Sequence, residues 1–281
     1  MAERTPFTPT SDDPRVALLL ALADDELIIG HRLSEWTGWV PYLEADLAFS
    51  SIAQDELGHA RALYGLAVEL GAASDEDALA LGRAPEAYRH ATICARENGD
   101  FATSLARHWL YDRADRVRLD ALRAGSWTSL VELLRVIELE ETFHRAHADA
   151  WFERLIDGPI EARRRFGDAL IGQLELMHAF FDPIDGEQSL LDDGIMTMPS
   201  KELGERFFGE VLPLLDDAGL DAGQVSHVEL VPTSSGAAEA TSEPSPGPQD
   251  RGGRRGVHED CFDGLWREMT ALYRSDDGAV W

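Results

Sequence analysis

The sequence predicts an all-α protein organised around a four-helix bundle. Three observations carry this: apolar residues recur at helical spacing from Val16 to Asp217, period-two alternation is almost absent, and two long helical hairpins are of nearly equal length.

The first helix runs from Val16 to Trp36 ("VALLLALADDELIIGHRLSEW"), after which Gly38 and Pro41 supply a stop and a restart. A second helix follows from about Pro41 to Leu70 and ends at Gly71, with "GAASDED" as a loop. Short helical pieces fit between Leu79 and Asn98, and in "NGDF" Asp100 offers an N-cap for a third helix reaching Arg123. "AGS", Ala124 to Ser126, turns into a fourth helix from Trp127 to Leu155. Pro159, at a first-turn position, opens a fifth from Ile160 to Phe181, and a sixth spans Ser200 to Asp217. "HVELV", His227 to Val231, is the single short strand candidate. The sequence therefore divides into a helical domain over 1–230, a small, polar, proline-rich linker over 231–253 that cannot bury apolar area, and a C-terminal helical segment over 254–281. The last segment carries an apolar stripe of Phe262, Leu265, Met269 and Leu272, which needs the body or a partner to dock on.

Composition excludes several functions. A formal charge of −27 over 281 residues repels phosphate backbones and anionic membranes, which argues against nucleic-acid and membrane partners. No apolar run is long enough to cross a bilayer, and the N-terminus lacks the basic-then-apolar order of an export signal, so the expected location is the cytoplasm. Cys94 and Cys261 show no C-x-x-C spacing and read as inert thiols. Lys201 is the only lysine; such an acid excess fits either a high-salt habitat or a basic partner.

The acids are not randomly placed. "QDELGH" sets Glu56 three residues before His59, and "LEETFH" sets Glu141 three before His144. A third match, Glu175 with His178 in "QLELMH", lacks a preceding acid and reads as structural, as do the nearby His31, His108 and His147. Register distinguishes the first two. Glu26 lies eleven residues before the end of its helix and Glu56 fifteen after the return begins, which is roughly 17 Å up and roughly 22 Å back, within about one turn of a common level. Asp112 and Glu141 repeat the relation in the second hairpin, twenty-nine residues apart against thirty for Glu26 and Glu56. Glu26, Glu56, His59, Asp112, Glu141 and His144 thus converge at one height, the arrangement of ferritin-like di-iron and di-manganese carboxylate proteins. Four carboxylates neutralise two divalent ions, and the imidazoles add one nitrogen each while leaving coordination positions open for dioxygen. Asp55 and Glu140, which precede the motif glutamates, are expected to accept the free imidazole N–H of the histidine in the opposite hairpin.

Three stretches, "ADDELIIGHRLSEWTGWVPYLEADLAFSSIAQDELGHARALYGLAVELG", "ENGDFATSLARHWLYD" and "GGRRGVHEDCFDGLWREMTALYR", resemble the C-type (PaaC) subunits of the multicomponent phenylacetyl-CoA epoxidases. The resemblance implies a chain that pairs with a homologous catalytic subunit, which epoxidises the ring of the acyl-CoA substrate at a di-iron centre fed by a separate reductase. C-type members commonly lack several of the metal ligands, whereas this sequence carries the full set of six. It therefore implies two iron ions, with manganese as the alternative. Two rival readings are a structural subunit of the same complex that works without metal, and a self-contained ferritin-like di-iron oxidase. In "EARRRF", Glu161 to Phe166, the arginines read as a solvated face rather than a grip on a CoA phosphate.

Overall fold

The computed structural model describes residues 4–222 and 252–276; the strand candidate at 227–231 and all of the linker except Gly252 and Gly253 lie outside the described residues. Eleven helices, α1 Pro14–Ser34, α2 Leu43–Glu69, α3 Glu76–Leu81, α4 Thr92–Ala95, α5 Phe101–Arg123, α6 Thr128–Ile156, α7 Ile160–Leu174, α8 Met177–Phe180, α9 Glu187–Asp192, α10 Ser200–Asp217 and α11 Asp260–Arg274, make up the described fold. Among the described residues there is no strand, only an isolated bridge between Phe7 and Arg83, and no helix long and apolar enough to cross a membrane.

Helix α1 is the axis of the molecule. Asp13 caps it by accepting the Arg15 amide at 2.9 Å, and Pro14 occupies the first turn, where no amide donor is needed. Its residues are apolar on nearly every side, so it has no wet face: Leu19, Ala23, Ile28, Ile29 and Leu33 are fully buried, and so are Asp24 and Asp25. The chain reverses at Gly38, whose φ of 81° only glycine adopts freely and whose amide donates to Asp46. Helix α2 packs back along α1, α6 packs back along α5, and the two hairpins close the bundle through α2 and α6. Asp100 caps α5 as expected, accepting the Thr103 amide at 2.8 Å.

The fifth helix is broken, against the expectation of one element from Ile160 to Phe181. Helix α7 stops at Leu174, and α8 begins at Met177 after a tighter turn in which the Leu176 amide donates to Gln173 O and the His178 amide to Glu175 O. Every residue from Leu176 to Phe181 is buried. One face of a regular helix cannot bury six consecutive residues, so the backbone tightens to turn them inward. Helix α9 also forms where local spacing predicts no element, and the Glu187 carboxylate at its start accepts the Ser200 amide that opens α10.

Helix α11 packs on α3 and α4 through Phe262, Leu265, Trp266 and Tyr273. Leu272, expected in the apolar stripe, is 65% exposed: the spacing 262, 266, 269, 273 follows the helical period more closely and brings Trp266 inward, its Nε1–H donating to Arg83 O at 3.0 Å. Ahead of α11, Gly256 takes a left-handed φ of 74°, and a pair of imidazoles stacks beyond it: the His258 ring lies 4.3 Å from His90, nearly parallel, and donates Nε2–H to Tyr88 O.

Burial holds the His258 pKa down to about 4. The folded protein therefore binds fewer protons than the unfolded chain below the ordinary histidine value, and the docking of α11 should weaken as pH falls from about 6.5 towards 4. Thermal denaturation against pH tests this; His258→Gln should flatten the curve within that window.

Candidate metal centre

Glutamate and histidine three residues apart on a helix share one face. On α2 this brings Glu56 and His59 inward, on α6 it brings Glu141 and His144 inward, and α1 adds Glu26; all five are at most 4% exposed. One ligand atom from each of Glu26, Glu56, His59 and Glu141 lies within 4.8 Å of all the others. His59 Nδ1 stands 3.5 Å from Glu26 Oε2, 3.7 Å from Glu56 Oε2 and 3.6 Å from Glu141 Oε1. His144 Nδ1 stands 3.2 Å from Glu141 Oε1 and 3.5 Å from Glu56 Oε1.

The outer nitrogens face the other way. His59 Nε2 is 2.7 Å from Glu140 Oε2 on α6, and His144 Nε2 is 3.2 Å from Asp55 Oδ2 on α2, so each carboxylate meets the ring of the opposite hairpin. A carboxylate accepting at Nε2–H leaves the Nδ1 lone pair directed at the cluster, the tautomer that a metal ligand needs.

The electrostatics without a cation are unfavourable. Burial, followed by the charge of Glu56, pushes Glu26 up to about 8, and burial raises Glu141 to about 7 despite His144. Burial also opposes charge on the two imidazoles, yet the surrounding carboxylates outweigh it and hold both near 12. Glu26 Oε2, both oxygens of Glu56 and Glu141, and the Nδ1 atoms of His59 and His144 are buried with no hydrogen-bond partner. Converging ligand atoms left unpaired in a dry interior are costly by themselves, and their chemistry is that of a site for a hard-to-borderline divalent ion. The residues fit a metal.

Asp112 stands apart from this compact group. It is fully buried on α5, with Oδ1 3.1 Å from His108 Nδ1. The α5 side chain in contact with Glu26 is Tyr111, whose hydroxyl donates to Oε1 at 3.1 Å. One turn beyond Asp112, burial pushes Asp115 up to about 7, with Arg118 opposing and the charges of Glu26 and Glu56 adding to the rise. Counting residues along a hairpin resolves height only to about one turn, which is the separation of Asp112 and Asp115. Sequence reasoning missed Asp115 and Tyr111; the signal for Asp115 was Arg118 three residues later.

The remaining histidines have other neighbours. His108 packs edge-on to Phe49, His147 accepts the Trp151 Nε1–H at 3.1 Å, and His178 stacks on Phe208 while Glu175 faces water. The arginines of "EARRRF" engage local groups: Arg163 donates to Ala218 O, and Arg164 and Arg165 pair with Glu161.

Glycine sets the spacing of the first hairpin. A Cβ at Gly30 would lie 3.1 Å from Glu56 Cβ and 3.2 Å from Ala53 O, so α1 and α2 approach at the level of the cluster only because position 30 has no side chain.

Two comparisons with known proteins agree with this arrangement. The family model described as phenylacetic acid catabolic protein matches residues 1–230. A relative in Escherichia coli (strain K12), the C-type subunit of 1,2-phenylacetyl-CoA epoxidase, is 26% identical over 265 residues, covering 94% of this chain and 98% of the relative.

Glu140→Ala should weaken binding of a divalent probe such as Co(II) by about 10- to 100-fold, because His59 loses the acceptor that orients it. Equilibrium titration of the purified protein measures this. Gly30→Val should destabilise the fold by about 1–3 kcal/mol through overpacking at the α1–α2 contact, read from chemical denaturation.

Proposed function

Since the chain belongs to the phenylacetic acid catabolic protein family, we propose that it is a subunit of a multicomponent phenylacetyl-CoA 1,2-epoxidase carrying a dinuclear metal centre of its own. The observation that carries this reading is the buried convergence of Glu26, Glu56, His59, Glu141 and His144, with their inward atoms unpaired. The name of the E. coli relative supplies the substrate class and the expectation of partner subunits.

In this reading Glu26, Glu56, Glu141 and one α5 carboxylate, Asp112 by register, balance the charge of two cations, and His59 and His144 each add a neutral nitrogen. Glu140 and Asp55 hold the two rings so that Nδ1 faces inward. The metal is iron, with manganese as the alternative, and it supplies the redox chemistry that activates dioxygen towards an aromatic ring. The protein's part is to exclude water from the carboxylates, keep both imidazoles in the ligating tautomer and fix the α1–α2 distance at Gly30. A homologous catalytic subunit and a separate reductase complete the complex.

The specific observation favouring a purely structural role is that the relative is named as the C-type subunit of its enzyme. One experiment separates the two. The native complex is purified by a tag on this chain, its metal content is measured, and epoxidation is compared with that of a Glu56→Ala complex. Stoichiometric iron in this subunit, with activity lowered at least about 100-fold by the substitution, supports a working centre. Unchanged activity assigns the chain a structural role, and absence of any partner overturns the reading of it as a subunit.

A further inference from the structure

Arg254 is outside the four-helix bundle in sequence and inside it in space. It sits on the turn just before α11, is 3% exposed, and directs its guanidinium at Asp25 and three backbone carbonyls. Nη1 donates to Asp25 Oδ1 at 2.9 Å, to Ala21 O and to Arg89 O; Nη2 donates to Asp25 Oδ2 at 2.7 Å and to Phe180 O. Asp25 is the residue before Glu26.

From Asp25 the network continues towards the cluster. Arg118 Nη1 donates to Asp25 Oδ2 at 2.5 Å, while Nη2 and Nε both donate to Asp115 Oδ1, Nε at 3.1 Å. Both guanidiniums also lie over the Phe180 ring, which holds their planes. Asp25, Asp115, Arg118 and Arg254 form a neutral set of two acids and two bases. Asp115 is the member at the cluster side, where its charge adds to the rise in Glu141.

Removing Arg254 would leave two buried carboxylates to share one guanidinium. Arg118 would be drawn to Asp25, which also holds the Ala91 amide, and Asp115 would be released towards three glutamates of the same sign. The α1 backbone on either side of Glu26 would lose its anchor at the same time.

We propose that Arg254 is a positioning residue for the metal centre: the C-terminal segment, by clamping Asp25 and through it Arg118 and Asp115, fixes the wall against which Glu26 and the cluster are set. This rests on the metal-binding reading above and adds to it a requirement from a residue beyond the stretch matched by the family model.

The test uses full-length protein, with Co(II) as the probe and three variants, Arg254→Ala, Arg254→Lys and Arg255→Ala. Arg255 is exposed and pairs with Asp185, so it controls for charge removal on the same turn. The expected result is that Arg254→Ala retains helical circular dichroism, binds Co(II) about 10- to 100-fold more weakly than the parent and shifts the ligand-field absorption bands, as loss of a group that orients ligands does. Lysine, with one nitrogen in place of a fork, should fall between, and Arg255→Ala should match the parent. If Arg254→Ala does not fold, the lysine variant decides on the same two readouts. A folded Arg254 variant with parental affinity and bands overturns the inference, whereas a parent protein that binds no Co(II) overturns the metal reading instead.

Discussion

Three consecutive acids in the buried first helix set the problem that the rest of the structure answers. Successive residues of a helix point about 100° apart, so Asp24, Asp25 and Glu26 cannot share a counter-charge. Each faces a different set of neighbours. Asp24 meets Arg83, the Tyr64 hydroxyl and the Arg89 amide; Asp25 meets Arg118, Arg254 and the Ala91 amide. Burial opposes charge on Asp25, yet Arg254 and Arg118 hold its pKa below the ordinary carboxylate value. Glu26 has no arginine. It faces Glu56, Glu141 and two imidazoles, so the same helix that is neutralised by protein on two sides is left with an uncompensated third.

Ion pairs of this kind add little net stability, because desolvation offsets most of the Coulomb gain. Their effect is on register. A guanidinium bound through several directed hydrogen bonds tolerates no rotation of α1, and the paired acids force elements distant in sequence, including the 83–91 stretch, α5 and the C-terminal turn, to meet the helix at fixed positions. Gly30 makes the complementary contribution on the α2 side, since close backbone approach there places Glu56 opposite Glu26.

The helical hairpins were legible in the sequence because periodicity, Asp100 as a cap, and Gly38 and Gly71 as stops all act locally. The grouping of Glu26, Glu56, His59, Glu141 and His144 was legible because helical rise converts residue counts into height, and the pairing of the histidines with Asp55 and Glu140 followed from adjacency on the same helices. Other features required long-range information. The break between Leu174 and Met177 depends on how many consecutive residues the neighbouring helices can bury, and the position of Asp112 relative to Asp115 turns on a single helical turn that counting does not resolve. Arg254 reads in sequence as one of several arginines beside glycines; only tertiary structure shows that it reaches Asp25, 229 residues away.

That separation has a consequence for biogenesis. During translation the acidic centre of α1 leaves the ribosome long before the guanidinium that completes its neutralisation, so hairpins can collapse early but the middle of the bundle cannot close around Asp25 while the C-terminus is still in the exit tunnel. Final consolidation is therefore a post-synthetic step, and a nascent chain stalled before residue 254 would present an interior still carrying excess negative charge.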